Sequence, residues 1–515
     1  MNRILILPVL VPFLTAIALA LLNGRPRLER AVSLVSCVGL TAFTYWLLGV
    51  VDREGIRVMV VGGWTAPWGI AFVADRLAAI MLCLSMSVAT IVLVSTFFTA
   101  TPTQERYFFH PLFQILVLGV NWSFITGDLF NLFVSYEVML IGSYGVMMVG
   151  ASKQQVRETM KYVAINGIGS TFFVVACGLV YATTGTLNMA DLAVRTAELE
   201  GARAALVTAV SMLLLVVFAL KGAAFPLFFW LPDSYPIVPP GVNGYFAGLL
   251  TKVGVYSLLR VFVLCFRQPG AELALEILLF LSGFTMLLGV LGAMCQWEIR
   301  KILAWHSISQ VGYMVMGIGL AASGAGVAEV ALAGTIYYVI HHSIVKSSLF
   351  LIGGIADRVV GSQELKRMGG ILDVAPGVAA LFFVAGFSLA GIPPFSGFPA
   401  KLTLVRAGLA GGHWLVILIA LATSLLTLYS MVKIWSYAFW HAPASPRALG
   451  SYRPLMIPAA ALVVATIVVG LAAQPFLRLF HAAARDLLDP REYLSEVLHA
   501  GPAPQVARVD AGRPR

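Results

Sequence analysis

Apolar stretches long enough to cross a bilayer recur from one end of this 515-residue chain to the other. A helix needs about 20 apolar residues to span the hydrocarbon layer. Repeated runs of that length restrict the chain to a bundle of helices whose backbone polar groups are satisfied internally. The runs fall at 4–23, 31–51, 75–99, 108–126, 128–151, 160–183, 206–229, 241–266, 271–294, 301–321, 328–354, 375–411, 413–439 and 455–474, which predicts 14 spans. The fold class that follows is an all-α polytopic membrane protein. Composition agrees, with 59% apolar and only 11% charged residues. The twelfth run is too long for one straight helix and is interrupted by "GIPPFSG" at 391–397. Proline removes backbone donors there, so two half-helices around an unwound segment are expected. The opening "MNRILILPVLVPFLTAIALALLNGRPRLER" has an apolar part longer than that of a signal peptide, with its basic cluster after it. A retained first span is expected.

The formal charge of +10 is not a nucleic-acid signal in such a chain. Excess Lys and Arg mark cytoplasmic loops. Loops after odd-numbered spans hold 13 Lys and Arg residues, among them Arg25, Arg106, Lys153, Arg300 and Arg358. Loops after even-numbered spans hold 5, namely Arg53, Arg57, Arg195, Arg203 and Arg267. The odd loops are therefore expected in the cytoplasm and both termini outside. The tail "PFLRLFHAAARDLLDPREYLSEVLHA" clusters apolar residues at helical spacing and is expected along the outer interface, with the last 15 residues disordered. The five cysteines are scattered, with no C-x-x-C, and neither a phosphate loop nor H-E-x-x-H is present. No cofactor, metal site or disulfide framework is expected, and no ATP site. Energy must reach this chain through a gradient or a partner.

Ionisable residues inside the spans break the pattern. Glu137 sits mid-span in "DLFNLFVSYEVMLIGSYGVMMVG", where a carboxylate costs roughly 2.5–3.5 kcal/mol on insertion scales. Lys221, Lys252, the "IHHSIVKS" set of His341, His342 and Lys346, and Lys401 are the others. A lysine near a helix end snorkels to the surface. Lys252 is 11 and 14 residues from the ends of its span, roughly 16 and 21 Å, beyond such reach. His342 stacks with Lys346 at i, i+4, whereas His341 points about 100° away and reads as structural. Arg260, near a helix end, reads as an anchor. Pro226 and Pro232 suggest a broken seventh span. A buried carboxyl or amine alone tends to neutrality, whereas a Glu–Lys pair holds both charges while closed. Breaking such a pair changes proton affinity at two sites, which is what a proton pump needs. Lys221 and Lys401 are 180 residues apart, and Lys252 and Lys433 are 181. These spacings suggest a five-span repeat, spans 4–8 and 9–13, which must re-enter inverted.

The stretch "GVNWSFITGDLFNLFVSYEVMLIGSYGVMMVGASKQQVRETMKYV" and "YATTGTLNMADLA" resemble the D subunits of the multi-subunit Mrp-type sodium/proton antiporters. "FALKGAAFPLFFWLPDSYPIVPP", "GLLTKVGVYSLLRV", "EIRKILAWHSISQVGYM" and "GIPPFSGFPAKL" resemble the wider superfamily of proton-translocating, antiporter-like subunits of complex I and membrane-bound hydrogenases. The resemblance runs from about 70 to 440. It implies 14 helices, inverted repeats and broken helices 7 and 12. Residues 1–107 would hold helices 1–3, 108–266 and 271–439 the repeats, and 440–515 the last helix and tail.

The resemblance also implies roles. Glu137 would be the helix-5 carboxylate and Lys221 its partner, Lys252 the central relay, His342 and Lys346 its continuation, and Lys401 the terminal group. His306 stands where the superfamily often has small or aromatic residues. Ser307, Ser309 and Gln310 are expected to bind water near the cytoplasmic entrance. The implied function is that of a proton-conducting subunit of a sodium/proton antiporter in a bacterial inner membrane, a transporter and not an enzyme. Its partners would be other membrane subunits, the bilayer, protons and sodium. Two rivals are a proton-pumping arm of a complex I-like or hydrogenase complex, and a non-transporting scaffold. A scaffold needs no charges at mid-depth. No carboxylate cluster in the sequence identifies a sodium site.

Overall fold

The computed structural model describes residues 2–150, 152–442 and 451–500. An N-terminal helix pair, α1 (Leu7–Leu21) and α2 (Pro26–Glu54), leads to a small antiparallel hairpin of β1 (Arg57–Val60) and β2 (Ala71–Ala74). The hairpin is absent from the sequence expectation of an all-helical chain. Then come α3 (Arg76–Thr99), the short α4 (Pro102–Arg106), α5 (Phe109–Ile125), α6 (Leu129–Met148) and α7 (Lys153–Thr184). The surface helix α8 (Met189–Ala197) precedes α9 (Gly201–Gly222) and α10 (Leu231–Ile237). The eighth span runs through α11 (Pro240–Tyr245) and α12 (Thr251–Leu259), with wider π turns at Phe246–Leu250 and Arg260–Cys265. The second half contains α13 (Glu272–Cys295), α14 (Ile299–Gly319), α15 (Ala325–Val360), α16 (Ile371–Val374), α17 (Pro376–Ala390), α18 (Gly397–Ala410) and α19 (Trp414–Ile434). Last are α20 (Arg453–Leu471), α21 (Ala473–Leu488) and α22 (Arg491–Leu498).

Helix occupies the body of each apolar run named from the sequence. Among the described residues, 11 helices are long and apolar enough to cross a membrane. The chain is a multi-pass, all-α membrane protein. Helix starts are set by local chemistry: Asp128 accepts from the Asn131 amide at 2.8 Å, and Ser152 and Gln155 form a reciprocal capping box. The two expected interruptions are present. In the seventh span α9 ends at left-handed Ala223 (φ 59°), and in the twelfth α17 ends at left-handed Gly391 (φ 90°). Of the candidate spans, those carrying Lys252 and the His342–Lys346 pair are the most enclosed, and α14, which packs against both, is buried along nearly its whole length.

The two halves are built alike. Gly119 of α5 lies so close to α6 that a Cβ there would collide with the Met139 backbone, and one at Gly289 of α13 would lie 2.5 Å from the Ser309 nitrogen of α14. In each half a single antiparallel bridge ties the loop before the second helix to a later loop: Asp128 with Asn188, and Glu298 with Glu364. These equivalences set a spacing near 170, and Ala223 and Gly391 are 168 apart. The 180-residue lysine spacing is therefore not the repeat. Lys221 lies before its helix break, whereas Lys401 lies after its own. Lys433 caps the end of α13 through the Met294 and Gln296 carbonyls at 2.9 and 2.8 Å, a role unlike that of Lys252.

Two other expectations are corrected. The tail helix α21 buries Phe480, Ala483, Ala484 and Leu487 against the bundle, with Phe480 on the Tyr337 ring at 5.3 Å. Its apolar face covers protein, so it is not left for the lipid interface. Arg260 is not an anchor either. It is 2% exposed and forms two bonds to Asp75, at 2.6 and 2.7 Å, with the Tyr256 and Tyr493 rings against its guanidinium. A buried arginine so close to a helix end is held by a carboxylate and not by headgroups. The expected disorder of the last 15 residues lies outside the described residues.

Candidate functional site

Glu137 is half-buried on α6 and accepts a hydrogen bond from the Ser170 hydroxyl of α7. The same hydroxyl accepts from the Lys221 amine at 3.3 Å. Lys221 also donates to the Asn166 backbone carbonyl at 3.3 Å and its side-chain oxygen at 3.4 Å. The direct Glu137–Lys221 pair expected from the sequence is thus replaced by a serine-bridged one. Lys221 stands at the end of α9, where the helix dipole presents its negative pole. Its amine lies 5.8 Å from the centre of the Tyr136 ring, and the Tyr136 hydroxyl reaches Ser257 of α12 at 3.0 Å.

Lys252 is completely buried and folds its amine back onto the Ala247 carbonyl at 2.5 Å, within the widened turn that precedes it. Such π turns are frequent at functional positions. Across the interface, Lys346 of α15 donates to the Leu303 carbonyl of α14 at 2.6 Å. His342 lies one turn away, fully buried, with neither ring nitrogen bonded to protein among the described residues. His306 of α14 is in the same state. Native proteins seldom leave buried nitrogens without partners, and those that do often use them.

Beyond His342 the polar line continues through aromatic hydroxyls. Tyr338 stacks near His342 and donates to the Gln310 side-chain oxygen. Tyr313 stacks on Tyr338 with centroids 5.1 Å apart, and its hydroxyl meets Ser424 at 2.8 Å. Ser424 accepts from the Lys401 amine at 2.9 Å. Lys401 also donates to the Leu389 and Ala390 carbonyls at 3.1 and 2.9 Å, the open end of half-helix α17. Each broken span therefore carries a buried lysine close to its interruption. Gln310 does not stand at an entrance: it is buried mid-helix and bonded to Tyr338, Ser309 and Thr427. Ser307 and Ser309 are buried too, each donating to a carbonyl of its own helix.

Hydrogen bonds thus join Glu137, Ser170 and Lys221 in the first half and Tyr313, Ser424 and Lys401 in the second, while Lys252, His342 and Lys346 are buried in the enclosed helices α12 and α15. Sequence reasoning missed the neutral members, Asn166, Ser170, Tyr313, Tyr338 and Ser424. Hydroxyls and amides are common enough in apolar helices to carry little signal alone.

Comparison with known proteins gives three close likenesses. The chain is 44% identical over 97% of its length to the whole of a protein from Alkalihalophilus pseudofirmus named as the D subunit of a Na(+)/H(+) antiporter. It is 36% identical, over 97% of its length and 100% of the relative, to the Bacillus subtilis protein of the same name. Its fold matches a chain in the structure of the Mrp complex from Dietzia sp. with a TM-score of 0.89 at 33% identity, covering 97% of this chain and 100% of that one. The model of the family described as NADH:quinone oxidoreductase/Mrp antiporter, transmembrane, matches residues 126–427, a span that holds every candidate residue from Glu137 to Lys401. The chain belongs to the NADH:quinone oxidoreductase/Mrp antiporter transmembrane family.

Proposed function

We propose that this protein is the proton-conducting membrane subunit of a multi-subunit sodium/proton antiporter. The observation that carries the reading is the series of ionisable groups inside the bundle: the half-buried Glu137, the buried amines of Lys221, Lys252, Lys346 and Lys401 in short polar contacts, and the buried His342. Burying so many amines without matching carboxylates costs stability. A static membrane scaffold gains nothing in return. The full-length likeness to proteins named as antiporter D subunits supports antiport over a redox-driven pump.

In this reading protons move along the line at mid-membrane depth. Opening and closing of the Glu137–Ser170–Lys221 bridge changes the field at Lys252 and so its hold on a proton. Lys252 passes the proton by His342 and Lys346 towards Lys401. One charge crossing 100 mV involves about 2.3 kcal/mol. A roughly 10- to 100-fold change in the proton affinity of Lys252 is of that size. The orphan nitrogens of His306 and His342 support a hydrated line, since water is the usual partner of such groups.

The same reading takes 14 spans, with helices 1–3 in residues 1–107, inverted repeats at 108–266 and 271–439, and the last helix and tail at 440–515. The paired bridges and glycine contacts support the two repeats. The excess of basic residues in odd-numbered loops supports both termini outside a bacterial inner membrane. The test is sodium/proton exchange by vesicles carrying the complete complex with Glu137→Ala, Lys221→Ala or Lys401→Ala. Each is expected to lose exchange at normal expression; wild-type exchange in all three rejects the reading.

A further inference from the structure

Thr466 lies in α20, outside both proposed repeats and beyond the family match, yet it joins a fully buried cluster of hydroxyls. Its Oγ1 is 2.5 Å from Ser396 Oγ and 3.0 Å from Ser388 Oγ, and the two serines are 3.4 Å apart. Ser396 Oγ is also 2.7 Å from His341 Nδ1. The hydroxyls come from the end of α17, the interruption of the twelfth span, and α20. Close backbone approach makes this possible. A Cβ at Gly397 would collide with the Ser388 carbonyl oxygen, and one at Gly470 with that of Pro394.

Two observations separate this cluster from ordinary helix glue. A serine or threonine in a membrane helix commonly donates to a carbonyl one turn back. Ser343 does so to Val339 at 2.7 Å and Thr335 to Ala331 at 2.9 Å. Among the described residues, Ser388, Ser396 and Thr466 bond only to one another and to His341. Each hydroxyl is left free to take a proton on one side and give one on the other. In addition, His341 Nε2 is buried and has no protein partner, while Nδ1 faces Ser396.

We propose that His341, Ser396, Thr466 and Ser388 form a proton-conducting branch of the relay, which brings α20 into transport; the branch rests on the antiporter reading above. Water gives up a proton to His341 Nε2, and the Nδ1–H bond breaks as its proton passes to Ser396 Oγ. At each following hydroxyl one O–H bond forms and one breaks, through Thr466 to Ser388. Ser388 immediately precedes Leu389 and Ala390, whose carbonyls hold the Lys401 amine. A water bridging Ser388 and Lys401 accepts the proton from Ser388 as one of its own O–H bonds breaks, and the amine, in its neutral form, takes the proton released. Helix α15 is thereby joined to Lys401 by a route that carries most of the flux, since on the Tyr338–Tyr313–Ser424 side the Tyr313 hydroxyl donates to the Ala420 carbonyl.

The test uses the complete complex in proteoliposomes, with sodium-driven proton movement measured per assembled complex. Thr466→Val keeps the shape and removes the hydroxyl, and is expected to slow transport by about tenfold or more. Thr466→Ser restores the hydroxyl and, with it, transport. Ser396→Ala is the second probe should the valine variant fail to assemble, and the same slowing is expected. Wild-type rates in both Thr466→Val and Ser396→Ala, beside an inactive Lys252→Met control, overturn the branch and leave the antiporter reading standing. Equal slowing of Thr466→Val and Thr466→Ser also overturns it, since packing and not the hydroxyl would then matter. Wild-type transport by Lys252→Met itself removes the antiporter reading and the branch together.

Discussion

Ser170→Ala is the most informative single change, because it removes one oxygen and leaves both charges of the bridge in place. Ser170 donates to Glu137 and accepts from Lys221, so the substitution deletes the atom through which the two communicate. A hydrogen bond to a charged group is worth about 1.5–3 kcal/mol. Lys221 keeps its two Asn166 contacts, which offset part of the loss. A net change of about 2 kcal/mol on the rate-limiting hop corresponds to roughly 30-fold slower transport. Proton uptake by everted vesicles containing the whole complex, followed by a pH-sensitive dye, reads this directly. Ser170→Thr, which keeps the hydroxyl, is expected to stay within a few-fold of wild type, roughly half a kcal/mol. Undiminished transport by Ser170→Ala, with Glu137→Gln inactive in the same vesicles, refutes the bridge as the means of coupling.

Other predictions concern stability. Arg260→Gln leaves Asp75 buried without its partner and is expected to destabilise the chain by about 3–5 kcal/mol, seen as a lower melting temperature in detergent; Asp75→Asn in the same chain should restore part of it. Gly289→Leu forces side-chain atoms into the Ser309 backbone and is expected to cost about 1–3 kcal/mol or more, read as reduced yield of folded protein. Phe480→Ala removes the ring that docks α21 on Tyr337, a loss of about 3–5 kcal/mol. Faster trypsin cleavage at Arg485 is its readout.

Much of this fold is legible in the sequence, because bilayer thickness fixes the length of an apolar run and leaves little freedom in what it forms. The breaks at Ala223 and Gly391 are announced by nearby prolines. Glu137, Lys252 and Lys401 stand out because a charge within an apolar run is costly and therefore conspicuous. Ser170 and Thr466 do not stand out. A hydroxyl can satisfy itself on its own helix at little cost, so only the packing of neighbouring helices reveals which hydroxyls serve a network. Arg260 misleads for a related reason: its distance from the helix end fits snorkelling, and Asp75 lies 185 residues away in sequence. The lysine spacings mislead because Lys221 lies before its helix break and Lys401 after its own, and Lys433 caps α13 whereas Lys252 bonds within its own span. The true register is carried by glycine contacts and loop bridges that have no compositional signature.

In the proposed relay, protons pass through the buried lysine at the heart of the bundle. Lys252 has no exposed surface and lies far from both ends of its span, so it has no role in anchoring or in binding partners. Lys252→Met keeps the length and the apolar packing while removing the titratable amine. Sodium-driven proton movement should be abolished in purified complex of normal subunit composition carrying this one substitution. Movement at the wild-type rate in that complex would contradict the account.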